Sequence, residues 1–254
     1  MPITKLLLAT ALLLSPTIAR ADDEMATEVT RPKVIFFDVN ETLLDLGQMR
    51  ESVGKALDGR EELLPLWFST MLHYSLVDTV TGRYHGFADI GVAALMMTAE
   101  TNGIELTEEA AREAIVTPLR SLPPHPDVKE GLQSLKDQGF RLISFTNSSN
   151  KGVKTQFENA GLIEFFEARL SVEDEKVYKP ALASYEWALK QANVKPEEAM
   201  MVAAHGWDIA GVKAAGMTGV FVTRPGKALY PLAIPADKKV ATITELAEWT
   251  KTLK

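Results

Sequence analysis

The hydrophobic pattern changes character twice along the chain. Val34-Ile35-Phe36-Phe37 is a continuous apolar run that ends at Asp38, the pattern of a strand buried on both faces of a parallel sheet. From Gln48 to Arg120 the apolar positions move to helical spacing. Leu63, Leu66, Trp67, Thr70 and Met71 mark one helix, Ile90 to Met97 a second and Glu108 to Val116 a third, opened by Thr107 as N-cap. Pro123-Pro124-His125-Pro126 then breaks the chain. Beyond it, helices and strands alternate. Helices are expected at Val128–Gln138, stopped by Gly139, at Lys151–Ala160, stopped by Gly161, and at Pro180–Ala192, with proline at its first position. Two more are expected at Asp208–Ala215 and Thr242–Thr252, and strands at Arg141–Phe145, Ala168–Val172, Ala199–Ala203 and Gly219–Thr223. Alternation of this kind predicts an α/β, Rossmann-like parallel sheet with helices on both faces. The helical block after the first strand is too long for a simple crossover. It reads as an inserted helical cap over 47–120, dividing a core made of 33–46 and 121–254.

The first residues follow another logic. Lys5 supplies a positive charge, Leu6 to Ile18 is apolar apart from Thr10, Ser15, Pro16 and Thr17, and Ala19-Arg20-Ala21 forms an Ala-x-Ala cleavage signal. This is the three-part pattern of an export leader over 1–21, followed by a linker over 22–32. The apolar stretch is short of the roughly 20 residues that a membrane-spanning helix needs. The expectation is an exported protein, periplasmic in a Gram-negative source, with no membrane attachment after cleavage.

Composition narrows the function. Lys and Arg number 27 against 34 Asp and Glu, a net charge of −7. Loss of residues 1–21 would remove Lys5 and Arg20 and no acid, taking the net charge to −9. An acidic chain without clustered cations argues against nucleic acid as partner. The absence of cysteine excludes a disulfide scaffold, thiolate metal ligands and a thiol nucleophile.

In open α/β sheets ligands bind beyond the carboxyl ends of the strands. The residues there are Asp38 with Asn40, Glu41 and Thr42; Thr146 with Asn147 and Ser148; Lys179 after the short strand; and His205, Trp207 and Asp208. Singly, each has a bland reading as a helix cap, a turn residue or a solvated charge. Asp, Thr, Lys and Asp on successive strand ends are much harder to obtain by accident.

VIFFDVNETLLDL, SFTNSSN, VYKP and MVAAHGWDIAGVKAAGM resemble the four ordered motifs of the haloacid dehalogenase superfamily. The likeness is closest to the type II L-2-haloacid dehalogenases, through Tyr185 six residues after the motif lysine, Trp207-Asp208, and the cap phrase LWFSTMLHYSLVDTVTGRYHGF. The resemblance implies catalytic roles for Asp38, Lys179, Asp208 and Thr146. Asp38 would be a nucleophile that forms an ester. Lys179 would keep it ionised, Asp208 would pair with Lys179 and help position the hydrolytic water, and Thr146 would bond substrate or ester oxygens. Asn40, Glu41, Thr42, Asn147, Tyr185, His205 and Trp207 would form the substrate-binding set, with Thr42 bonding either Asp38 or the substrate carboxylate. No cofactor is implied. The partner is a small carboxylic acid, and the apolar cap helices could supply a homodimer interface.

Two positions separate dehalogenase from phosphatase within the superfamily. Phosphatases carry a second Asp two residues after the nucleophile as general acid, where this chain has Asn40. They carry an acidic Mg²⁺ ligand four or five residues before the last motif Asp, where this chain has Ala204 and Ala203. A halide leaves as a stable anion and needs no proton, so both differences point to metal-independent hydrolysis of a carbon–halogen bond. Other positions depart from the dehalogenase pattern. An aromatic residue usual at 40 is Asn, Gly at 41 is Glu, and Ser and Asn of the last motif are Ala203 and His205. The Arg that binds the departing halide is matched by Phe68. His73 and Arg83 are the candidates to replace that arginine, and His205 reads equally as an acid–base group or as a ring that shapes the pocket. The alternatives are a hydrolase of another substrate, a phosphatase included, and a non-catalytic binder of small acids.

Overall fold

The computed structural model describes residues 29–254. The expected leader over 1–21 and most of the linker lie outside the described residues.

Six parallel strands form one sheet in the order β3-β2-β1-β4-β5-β6. They are β1 (Val34–Phe37), β2 (Arg141–Thr146), β3 (Ala168–Ser171), β4 (Ala199–Ala203), β5 (Thr218–Val222) and β6 (Lys238–Val240). β1 lies at the centre, in register with β2 through Val34–Arg141 and with β4 through Val34–Ala199. Every residue of β1 and β4 is buried, which is why both read as unbroken apolar runs instead of alternating ones. The order reverses between β1 and β4, the switch point where the two carboxyl ends open a crevice.

Between β1 and β2 run α1 (Met49–Ala56), α2 (Leu64–Val80), α3 (Phe87–Thr101), α4 (Glu108–Arg120) and α5 (Val128–Asp137). Trp67 Nε1 donates to Gly91 O across α2 and α3 at 2.8 Å. Thr107 caps α4 by accepting Ala110 N–H, as its position predicts. The remaining helices are α6 (Asn150–Ala160), α7 (Leu182–Ala192), α8 (Gly206–Ala214) and α9 (Ile243–Thr250). Among the described residues no helix is long and apolar enough to cross a membrane.

One expectation needs correction, and one strand lies where none is expected. The helix expected from Pro180 starts at Leu182, because Ala181 N–H closes a turn on Tyr178 O before the helix begins, and the Lys179–Pro180 peptide is cis. β6 carries no sequence signal of its own. It has three residues, two of them lysines, at the sheet edge, where charge discourages further pairing.

Candidate active site

Asp38 is the first residue past β1. Its backbone N–H extends the ladder to Val202 O at 3.1 Å, which fixes the side chain over the switch point. Thr42 Oγ1 donates to Asp38 Oδ2 at 2.6 Å and accepts Ala204 N–H at 2.9 Å. One hydroxyl thus ties the loop after β1 to the end of β4 and sets the carboxylate rotamer. Lys179 Nζ donates to Asp38 Oδ1 at 3.1 Å, to Asp208 Oδ2 at 2.7 Å and to Phe145 O at 3.0 Å. All three protons of a buried ammonium are therefore used, the condition under which a buried charge is tolerated. Asp208 is wholly buried on the first turn of α8. Its other oxygen accepts Tyr185 Oη at 2.5 Å.

The charges are unequal. Burial pushes the Asp38 carboxyl up, but Lys179, His205 and the Thr42 hydroxyl outweigh it and hold Asp38 well below the usual carboxylate range. For Asp208 burial prevails, and its carboxyl shifts up despite Lys179. Burial would lower Lys179; the two carboxylates reverse that and raise it. Asp38 is the carboxylate kept ionised.

The His205 ring precedes α8 and is nearly buried. It stacks with Trp207 at 4.9 Å and with Phe68 of α2 at 6.1 Å. Nε2 is 2.8 Å from Glu41 Oε2, and Glu41 Oε1 pairs with Lys227 Nζ at 2.5 Å. Nδ1 lies 3.2 Å from Asp38 Oδ2, near enough for charge attraction but out of line for a hydrogen bond, so this buried nitrogen has no bonded partner among the described residues. Burial lowers the affinity of the ring for a proton, yet Asp38 and Glu41 together raise its pKa to about 9. Glu41 is itself lowered: burial is overcome by His205 and Lys227. Its backbone φ is +64°, the left-handed region in which a Cβ is disfavoured, at the position where the resemblance leads one to expect glycine.

The structure divides the expected substrate-binding set. Glu41, His205 and Trp207 line a cleft of about 630 Å³ under α2. Asn40 does not face it. Its Nδ2 donates to Ser148 Oγ and its Oδ1 accepts from Gln156, so both ends of the amide serve the framework. Asn147 is spent in the same way, exchanging bonds with Lys179 N and O. Tyr185 reaches Asp208 and not the cleft, and Thr146 Oγ1 accepts Ser148 N–H. The candidates to replace the halide-binding arginine are also corrected. His73 and Arg83 are exposed, and Arg83 lines a separate hollow with Thr79 and Lys176. The cations that line the cleft are Arg50, Arg224, Lys227 and His205. Sequence reading passed over Lys227 and Arg224, although both follow the carboxyl end of β5, where the strand-end rule would have found them. Gly206 lets their loop close down, since a Cβ there would collide with the Ala228 carbonyl.

Asp38, His205 and Asp208 bring three potential ligand atoms within 4.8 Å of one another. They do not suit the Mg²⁺ of the superfamily's phosphatases, which wants oxygen ligands. The Lys179 ammonium bridges the two carboxylates, the imidazole carries a proton, and the family's acidic position is alanine.

A family model described as haloacid dehalogenase-like hydrolase matches residues 32–216. The (S)-2-haloacid dehalogenase 1 of Pseudomonas sp. (strain CBS-3) is 29% identical over 84% of this chain and 93% of its own. The (S)-2-haloacid dehalogenase of Xanthobacter autotrophicus is 30% identical over 76% of this chain and 75% of its own. A solved L-2-haloacid dehalogenase from Xanthobacter autotrophicus, with chloropropionic acid covalently bound, superposes with a TM-score of 0.80 at 24% identity, covering 88% of this chain and all of that one.

Proposed function

The chain belongs to the haloacid dehalogenase-like hydrolases, and from that premise we propose that it hydrolyses short 2-haloalkanoic acids to 2-hydroxy acids through an ester on Asp38. The observation that carries the reading is the state of Asp38: ionised, aimed by Thr42 and held by the Lys179 ammonium. An oxygen of Asp38 attacks C2 from the side opposite the halogen, the carbon–halogen bond breaks, and halide leaves with inversion at C2. Water then attacks the ester carbon and frees the 2-hydroxy acid, dividing one difficult displacement into two easier steps.

The leaving-group side supports the same reading. A phosphate ester needs a proton on its departing oxygen. The side chain at the general-acid position is an amide, turned toward Ser148 and Gln156. Halide needs no such proton. The relatives named as (S)-2-haloacid dehalogenases and the covalent chloropropionate adduct of the solved enzyme agree with this chemistry.

Halide release from 2-chloropropionate and chloroacetate, with and without EDTA, tests the proposal beside a phosphatase assay with added Mg²⁺. Halide release that EDTA leaves unchanged, and that Asp38→Asn abolishes, is the expected result. Mg²⁺-dependent phosphate release without halide would overturn it.

A further inference from the structure

Hydrolysis of the ester needs a group to take a proton from water, and Asp208 is badly placed to do so. It has no exposed surface, and both its oxygens already accept bonds, from Lys179 and Tyr185. His205 is placed differently. It lines the cleft, stacking against Phe68 and Trp207 fixes its plane, Glu41 holds Nε2, and Nδ1 lies 3.2 Å from Asp38 Oδ2 without a bonded partner among the described residues. We propose that His205, oriented by Glu41, is the general base that hydrolyses the Asp38 ester. The inference rests on the dehalogenase reading.

Direction separates this role from binding the halide. In an in-line displacement the halide departs from the far side of C2, away from the attacking carboxylate. A ring 3.2 Å from that carboxylate stands on the wrong side for the halide and on the right side for the ester.

The proton count closes. In the resting site Asp38 is ionised and His205 is protonated. When Asp38 is alkylated and halide leaves, the carboxylate charge that held the proton on the ring disappears, and the imidazolium releases one proton to solvent. Neutral His205 then takes a proton from water as the water oxygen bonds to Asp38 Cγ. The bond from Cγ to the alkoxy oxygen breaks, that oxygen takes the second proton of the water and leaves as the hydroxyl of the 2-hydroxy acid, and the Asp38 carboxylate and the imidazolium are restored. The sum is haloacid plus water giving hydroxy acid, halide and one proton. Esterification itself thus arms the base.

The charged and titratable groups around the ring are Asp38 and Glu41 in contact, Lys179 and Lys227 behind them, Asp208 beyond Lys179, and His125, whose ring meets the Glu41 carbonyl at 3.2 Å. Glu41 acts through His205 and is a positioning residue. The residue keeps its left-handed backbone, and its carboxylate is pinned from both ends. That is the kind of local strain retained where a side chain has a task.

Rapid-quench kinetics with 2-chloropropionate, read by halide release and intact-protein mass spectrometry, test the base. His205→Gln, with His205→Asn as a second variant should the first not fold, is expected to release about one equivalent of halide per site. It should then accumulate the Asp38 adduct, with hydrolysis slowed at least about a hundredfold. Glu41→Gln keeps an acceptor for Nε2 but not its charge, and should move the pH profile of adduct hydrolysis down by about one unit or more. Turnover in the His205 variants without an adduct, loss of the halide burst itself, or an unmoved profile in Glu41→Gln would overturn the proposal. Wild-type protein that releases no halide would instead sink the dehalogenase reading and this inference with it.

Discussion

Tyr185 is a side chain whose polar atom has a single purpose. Its hydroxyl donates to Asp208 Oδ1 at 2.5 Å in a fully buried setting, and its ring packs so closely on α8 that a Cβ at Gly211 would fall 2.5 Å from Cε2. Tyr185→Phe keeps the ring and removes the donor. It should cost about 1–3 kcal/mol of stability, the penalty for a buried acceptor left unpaired, measured by urea unfolding at neutral pH. Single residues were also where the sequence was both clearest and most misleading. Asp38, Thr42, Lys179, Tyr185 and Asp208 could be named from motif order, and the structure gathers them through consecutive bonds. Asn40 and Asn147 look the same in sequence as residues that meet a ligand. Which way an amide turns depends on Ser148, Gln156 and Lys179, partners from other parts of the chain, and local pattern carries no record of that choice.

At the scale of elements, legibility followed burial. β1 and β4 are sealed on both faces, so their residue types are dictated by the core and their sequences declare them. The short edge strand β6 is defined by pairing with β5 alone. Pairing is a property of two segments, which explains its silence in sequence. The same holds for the loop from Arg224 to Ala228. It has neither helical nor strand periodicity, yet it delivers Arg224 to Thr42 O and Asp127, and Lys227 to Glu41. The helical block 49–120 was legible as helices through its spacing. That one of them would lay Phe68 on His205 was not, because spacing tells which face of a helix is apolar and not what that face will cover.

For the molecule as a whole, the trapped proton links the site to stability. His205 has a folded pKa of about 9 against an ordinary value of 6.5. The folded state holds this proton more tightly than the unfolded chain does, so the contribution is full below about pH 6.5 and is lost as pH rises through about 9. Asp38 and Glu41 are shifted down, and their contributions are lost at the acid end instead. Denaturant titrations from pH 6.5 to 9 should therefore show wild-type stability falling on the order of a few kcal/mol and His205→Gln falling less. Parallel losses in both proteins would contradict the assignment. The overall charge of −7 repels an anionic substrate, but in the lining of the cleft Arg50, Arg224, Lys227 and the His205 imidazolium outnumber Glu41 and Asp45. Local fields of this kind draw in an ion that the net charge disfavours.

The stacked seam of Phe68, His205 and Trp207 also limits how this site can be re-engineered. An arginine placed at 68 alone, the residue the resemblance implies there, would put a guanidinium against an imidazolium and close to Lys227, whose ammonium is 5.7 Å from the Phe68 ring. Three cations would crowd one carboxylate, Glu41. Phe68→Arg alone should slow the first-turnover burst of halide, whereas Phe68→Arg with His205→Asn and Glu41→Gly should recover part of that burst rate, the ester then remaining on Asp38. Assays of both variants would show that these positions are exchangeable only as a set. Equal effects of the arginine in either background would show that they are independent. On this geometry Phe68, His205 and Glu41 interlock through one stacking contact and one charge pair, so a change at any of the three is felt at the others.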